Sequence, residues 1–242
     1  MLRGLFIFYT LFSLNIHSQN SIFKSSWNEL FYKEYNSKNF KNFSAFNETI
    51  DLKNIDYPLL HAAIYYTTNL QRSNRNIKHL KWNLNLEIAA YNHSKNMVVR
   101  NFYDHLSNKE VQKRGKSAGI LNPFLSENIA KEFALNYNGD PFYTHEKNSS
   151  LNGEFRFSYN NNEQDLIPTH TYLSFAFRIV EGWMNSTTHR KNILDKKAIE
   201  LGVGVYFKVD EDGFPLFYGT QNFQLYNLSE IGESKSPLPP GW

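Results

Sequence analysis

Apolar residues recur at helical spacing from Asp56 onward, where Leu59, Leu60, Ala63, Ile64 and Leu70 share one face and Pro58 suits a first turn. Ser73, Asn74 and Asn76 end that helix. A second helix is expected from about Asn85, with Leu86, Ala89, Ala90, His93 and Met97 on one stripe, and it runs out near Phe102. A short third helix fits between Lys109 and Ala118, stopped by Gly119. After Pro168 the spacing of Leu173, Ala176, Val180 and Trp183 predicts a strong helix ending near Ser186, followed by a short turn or helix from His189 to Leu194. The pattern then changes period. Leu201, Val203, Val205 and Phe207 alternate with small or polar neighbours, Asp210-Glu211-Asp212-Gly213 supplies a turn, and Phe214 to Phe223 returns as the partner strand. Helices followed by a hairpin predict an α+β domain with helices on a small antiparallel sheet.

The remaining segments lack this order. Arg3 and the short apolar run Leu5–Leu14 read as a signal peptide over residues 1–18, cut near Ser18. Residues 19–55 read as a polar N-terminal extension that packs loosely, with Trp27, Phe31 and Phe43 scattered in it. The domain proper is expected over 56–225, with an Asn-, Gly- and Pro-rich insertion at about 136–168 and a loose C-terminal tail over 226–242. No later stretch approaches membrane-spanning length, so the mature protein is expected to be soluble, exported, and periplasmic or secreted.

Composition narrows the chemistry. With 20 Phe and 15 Tyr among 242 residues the chain can build a real core. A net charge of +3, without basic clusters, excludes a nucleic-acid surface. The absence of Cys removes thiol nucleophiles and Cys-ligated zinc. There is no His-Glu-x-x-His helix and no Gly-x-Ser-x-Gly elbow.

Three segments put ionisable or polar residues beside expected helix ends: Asn101-Phe102-Tyr103-Asp104-His105, Ser126-Glu127-Asn128-Ile129-Ala130, and Gly182 through Leu194, which carries Asn185, Ser186 and His189. Two neutral imidazoles suit Zn²⁺, and a carboxylate can join them or hold one imidazole in the right tautomer. Glu127 could instead serve as a general base without metal, or simply complement a helix dipole. The other histidines look less informative. His93 reads as a satisfied core residue, His61 and His79 as helix-flanking and exposed, and His145 and His170 have no assigned place. Trp82 and Trp183 read as core anchors whose indole N–H groups need partners, and Gly202 and Gly204 as points of close backbone packing.

In order along the chain, these fragments resemble the CAP/SCP superfamily (cysteine-rich secretory proteins, antigen 5 and pathogenesis-related proteins) in a bacterial, disulfide-free form. The matching fragments are Leu80-Lys81-Trp82-Asn83, Ala89-Ala90 with His93 and Met97, Asn101-Phe102 leading to His105, and Glu127-Asn128-Ile129-Ala130. Gly182-Trp183-Met184-Asn185-Ser186, His189-Arg190, Asn192-Ile193-Leu194, Leu201-Gly202-Val203-Gly204-Val205 and Thr220-Gln221-Asn222-Phe223 complete the series. The resemblance implies a three-layer α-β-α sandwich and a cleft with two His and two acids that in several members binds a divalent metal. His105, Glu127 and His189 match three of these positions. The second acid falls where this chain has Asn185 and Ser186, so a mechanism needing two carboxylates lacks one. Gln221 and Asn222 are expected to face the cleft on the same grounds. The function expected is a secreted binding module whose His/Glu cleft takes Zn²⁺ or another divalent cation and an unknown extracellular ligand or protein. The alternatives are a metal-assisted, peptidase-like hydrolase of extracellular or envelope polymers, and a carrier of lipids or sterols.

Overall fold

The computed structural model describes residues 25–145, 157–162 and 165–225. The signal peptide and the C-terminal tail read from the sequence lie outside these residues, as does part of the 136–168 insertion.

The helices begin where local chemistry starts them. Helix α2 (Tyr57–Ser73) follows a four-residue α1 (Phe31–Glu34), and its N-cap Asp56 accepts a hydrogen bond from the Leu59 amide at 3.1 Å. Asn83 caps α3 (Leu84–Val99), and Ser107 caps α4 (Asn108–Ser117). Thr171 and Ser174 form a reciprocal capping box at the start of α5 (Tyr172–Asn185), and Ser186 caps α6 (Thr187–Ile193).

A four-stranded sheet stands between the helices. Its order is β1 (Lys81–Trp82), β5 (Ala198–Val209), β6 (Pro215–Leu225), β2 (Leu125–Phe133). The short β1 joins β5 in parallel, and the other pairs are antiparallel. Helix α3, with α4 beside it, covers one face, and α2 and α5 cover the other, giving the α-β-α sandwich. Helix α3 lies on the glycines of β5. A Cβ at Gly202 would stand 2.1 Å from the Glu87 nitrogen, and one at Gly204 would stand 2.0 Å from the Tyr91 nitrogen. Only glycine lets helix and strand backbones approach this closely.

The main core lies on the α2/α5 face. Leu201, Val203, Val205, Phe217 and Phe223 of the sheet meet Leu60, Ile64, Phe175, Ile179 and Trp183. The N-terminal segment belongs to this core and does not pack loosely, contrary to expectation. Trp27, Phe40, Phe46 and Ile50 are all buried, and Trp27 stacks on Phe46 with ring centroids 5.4 Å apart. The Tyr66 hydroxyl donates to the Phe31 carbonyl at 3.1 Å, so this segment covers the side of α2 that would otherwise meet water. Its aromatics follow no period, because they sit on one turn of α-helix and two 3₁₀ turns.

The reading of His61 is also corrected, by its packing against β5 and α3. It is buried within α2, with Nε2 accepting from the Val205 amide at 3.1 Å and Nδ1 facing Glu87 at 3.0 Å. Glu87 also accepts the Trp82 indole N–H at 2.6 Å, and the Trp183 indole donates to the Ile129 carbonyl at 3.0 Å. His79 is exposed, as expected. The described part of the 136–168 insertion is anchored. Strands β3 (Tyr143–Thr144) and β4 (Phe157–Ser158) pair, and Phe157 and Ile167 join Leu135 in a small apolar cluster.

Candidate functional site

The site forms at the free edge of the sheet, where β2, α4, α6 and the turn after α3 converge. Glu127 lies in the middle of β2 rather than in a helical turn, so its carboxylate does not serve a helix dipole. It points to the α3/α4 face, opposite Asn222 of β6. Its side chain is 2% exposed, and its hydrogen-bond partners are His105, Arg114 and Asn222.

His105 reaches Glu127 from the turn between α3 and α4, with Nδ1 2.9 Å from Oε1. That turn is tightly wound. The Asp104 carboxylate accepts from the Leu106 amide at 2.7 Å, and the Ser107 amide donates to the His105 carbonyl at 3.0 Å. Leu106 is thereby held in the left-handed region at φ 67°, which costs a Cβ-bearing residue about 1 kcal/mol. The strain sits one residue from the imidazole it positions. Arg114 of α4 approaches from the other side, its Nη2 donating to Oε1 at 2.9 Å and to Oε2 at 2.8 Å. The Asn222 amide, turned to satisfy both neighbours, donates to Oε2 at 3.0 Å and accepts from the Ala90 amide at 3.2 Å. His93 stands behind, with Nε2 3.7 Å from Oε1. Burial pushes its pKa below the usual histidine value, against the opposing pull of the Glu127 charge.

His189 is brought in by α6, which is tied to β2 by a run of amides. Asn128 donates to the His189 carbonyl at 3.1 Å and to the Gln221 side chain at 3.1 Å. Asn192 donates to the Asn128 side chain at 2.8 Å and to the Glu127 carbonyl at 3.2 Å. At the far end of α6 the buried Arg72 donates to the Ile193 and Asp195 carbonyls at 2.8 and 2.9 Å, satisfying groups a helix terminus leaves open. His189 is half-buried. Its pKa is lowered first by that burial and then by the neighbouring His105.

The remaining sequence-derived positions separate. Asn185 is exposed at the end of α5, and Ser186 accepts from the His189 amide as the α6 cap. Gln221 is fully buried on the opposite face from Glu127, where it donates to the Thr68 hydroxyl at 2.7 Å. Arg114, His93, Asn128 and Asn192 were not singled out as site residues from the sequence. For His93 the available signal was its company: a histidine on a stripe with Ala89 and Ala90 has space on the sheet side for a polar partner.

Residues 65–223 match the cysteine-rich secretory protein (CAP) family, more than half of the chain. The chain belongs to this family. A comparison with curated proteins gave no significant match. Among solved structures, an extracellular protein containing a SCP domain from Bacillus anthracis is similar at 25% identity with a TM-score of 0.46, over 71% of this chain and 42% of that one. The chain therefore spans less than half of the Bacillus protein. An outer surface protein from Borrelia burgdorferi is similar at 14% identity and TM-score 0.43, over 74% of this chain and 99% of that one. A cysteine-rich secretory protein from Staphylococcus aureus is similar at 17% identity and TM-score 0.42, over 70% and 40% respectively.

For a CAP chain, the question is whether His105, His189 and Glu127 fit a divalent metal as direct ligands. Glu127 does not fit that role. Its oxygens are already taken by Arg114, His105 and Asn222, and a cation placed on them would face the guanidinium. Among the described residues, no group of three or more His, Cys, Asp or Glu side chains is arranged to hold a metal ion. The two imidazoles are a different matter. With Nδ1 of His105 donating to Glu127, its Nε2 keeps a free lone pair, and a carboxylate behind an imidazole is the arrangement that orients metal-binding histidines.

Proposed function

We propose that this CAP-family chain is an exported binding module whose cleft offers two imidazoles, His105 and His189, to a divalent cation such as Zn²⁺, and through it to an extracellular ligand. The observation that carries the reading is the enclosure of Glu127: a carboxylate held by Arg114, His105 and Asn222 is an anchor for His105, with no oxygen left to activate water. That favours binding over hydrolysis. Two protein ligands leave coordination positions open to donors from a partner, and a bound cation would supply Lewis acidity there. Export rests on the leader-like residues 1–18. Among the described residues no helix is long and apolar enough to cross a membrane.

Calorimetric Zn²⁺ titration of the purified protein, beside a His105→Ala/His189→Ala variant, tests the reading. One saturable site that disappears in the variant is expected. No binding, or equal binding in both proteins, would remove the cation from the proposal and leave the imidazoles as direct ligand contacts at most.

A further inference from the structure

We infer that Arg114 is a specificity-determining residue of the cleft, a built-in cation that occupies the Glu127 carboxylate and keeps it from serving a metal ion. The inference rests on the reading of the cleft as a cation site and concerns which of its groups take part.

The position of Arg114 is imposed by the docking of α4 on β2. Two residues before it, the Gln112 side chain donates to the Leu125 carbonyl at 2.9 Å and accepts from the Leu125 amide at 2.8 Å. This pair binds α4 to the strand two residues from Glu127. One residue after Arg114, Gly115 lies so close to the strand that an added Cβ would stand 2.5 Å from Leu125 Cδ1. With α4 held on both sides of Arg114, the guanidinium reaches the Glu127 carboxylate. It straddles both Glu127 oxygens through Nη2, while Nη1 reaches the His105 carbonyl at 3.4 Å.

Both partners of the pair are largely shielded, with 16% of the Arg114 side chain and 2% of the Glu127 side chain exposed. Removing either one leaves the other an uncompensated buried charge. The pair therefore neutralises itself, and a divalent ion seeking the carboxylate must first displace a guanidinium that the fold holds in place. Arg114 thus limits the cleft to its imidazoles. Without its charge, a Glu127 oxygen and Nδ1 of His105, 2.9 Å apart, become an oxygen and nitrogen pair that a divalent ion can take together, and metal affinity should rise.

The test is Zn²⁺ titration by calorimetry of the wild-type chain, Arg114→Gln, and Arg114→Gln/Glu127→Gln. Arg114→Gln is expected to bind Zn²⁺ at least about tenfold more tightly than wild type, and the added Glu127→Gln should abolish the gain. A folded Arg114→Gln protein with unchanged or weaker affinity overturns the inference. Where that variant melts too low for titration, the rise in its melting temperature between chelator and Zn²⁺ reports the same quantity. A larger rise than in wild type supports the role of Arg114, and an equal or smaller one overturns it. The two readings fail separately. Binding in Arg114→Gln but not in wild type removes the native cation site and keeps the role of Arg114. Binding in wild type through His105 and His189, with no gain in the variant, does the reverse.

Discussion

The two faces of the sheet are built on opposite plans. Toward α2 and α5, odd-numbered residues of β5 and β6 other than the hydrogen-bonded Gln221 join one large apolar core, into which the N-terminal aromatics also insert. Toward α3 and α4, the apolar contacts break into two small clusters, Leu86/Val111/Leu125 and Met97/Ile129/Tyr218. Between them, on the same strand as Leu125 and Ile129, sits Glu127 with its ring of donors. One face secures the fold by apolar area. The other surrenders that area where it is needed to hold a carboxylate, and replaces it with hydrogen bonds and glycine-mediated contact. The difference teaches that a strand inside an apolar sandwich can carry a buried carboxylate when an arginine, a histidine and an amide are brought to it.

The comparison is broken most severely on the apolar face. Trp183→Ala removes a fully buried indole and its bond to the Ile129 carbonyl. It should cost about 4 kcal/mol in urea unfolding, while leaving the His105–Glu127 contact intact. A loss under about 1 kcal/mol would mean that the core tolerates a cavity there. Gly204→Ala attacks the opposite face through its backbone contact, since the new Cβ would meet the Tyr91 nitrogen at 2.0 Å. About 3 kcal/mol is expected, with α3 lifted from the sheet and its amides exchanging faster than those of α2. Uniform exchange would contradict the picture of α3 resting on glycine.

The third prediction compares how each face treats histidine. His170, on the apolar side against Phe175, has its pKa pushed by burial from 6.5 down to about 4. Above the unfolded value the residue is neutral in both states and contributes nothing. As pH falls from 6.5 toward 4, the unfolded chain takes up a proton that the folded one refuses. Stability is therefore lost across that window, by on the order of 2 to 3 kcal/mol, and the loss levels off below it. Chemical denaturation at several pH values should show a steeper decline for wild type than for His170→Gln, and parallel curves would rule the assignment out. The smallest effect lies on the cleft face. Leu106→Gly relieves the left-handed conformation at φ 67° and should stabilise the protein by up to about 1 kcal/mol. Destabilisation instead would show that the 56%-exposed Leu106 side chain makes contacts that outweigh its backbone strain.

Much of this architecture was legible in the chain itself. Periodicity located α2 and α4 within a residue or two of their observed ends and placed α3 and α5 correctly, though it ran α3 on to Phe102 and began α5 just after Pro168, because each has a stripe facing the sheet and a capping side chain at its start. The hairpin of β5 and β6 was equally plain from Val-Gly alternation and the Asp-Gly turn. Ordered fragments such as Glu127-Asn128-Ile129-Ala130 identified the family, though not the strand on which they lie.

What escaped were pairings between residues distant in sequence. The N-terminal aromatics have no period of their own, and their burial depends on α2 offering a second face. The run Ala62-Ala63-Ile64-Tyr65-Tyr66, all buried, was the only local trace of that cover. His61 looked exposed because its partners, the Val205 amide of β5 and Glu87 of α3, are remote in sequence. Gln221 and Asn222 are adjacent in sequence, yet the strand's twofold alternation sends them to opposite faces, so that only Asn222 meets Glu127. The sequence determined which side chains were available to the cleft. The tertiary structure decided that Arg114, thirteen residues from Glu127, would be the charge laid against it, because α4 docks on β2 through Gln112 and Gly115 and no local pattern encodes where one element rests on another.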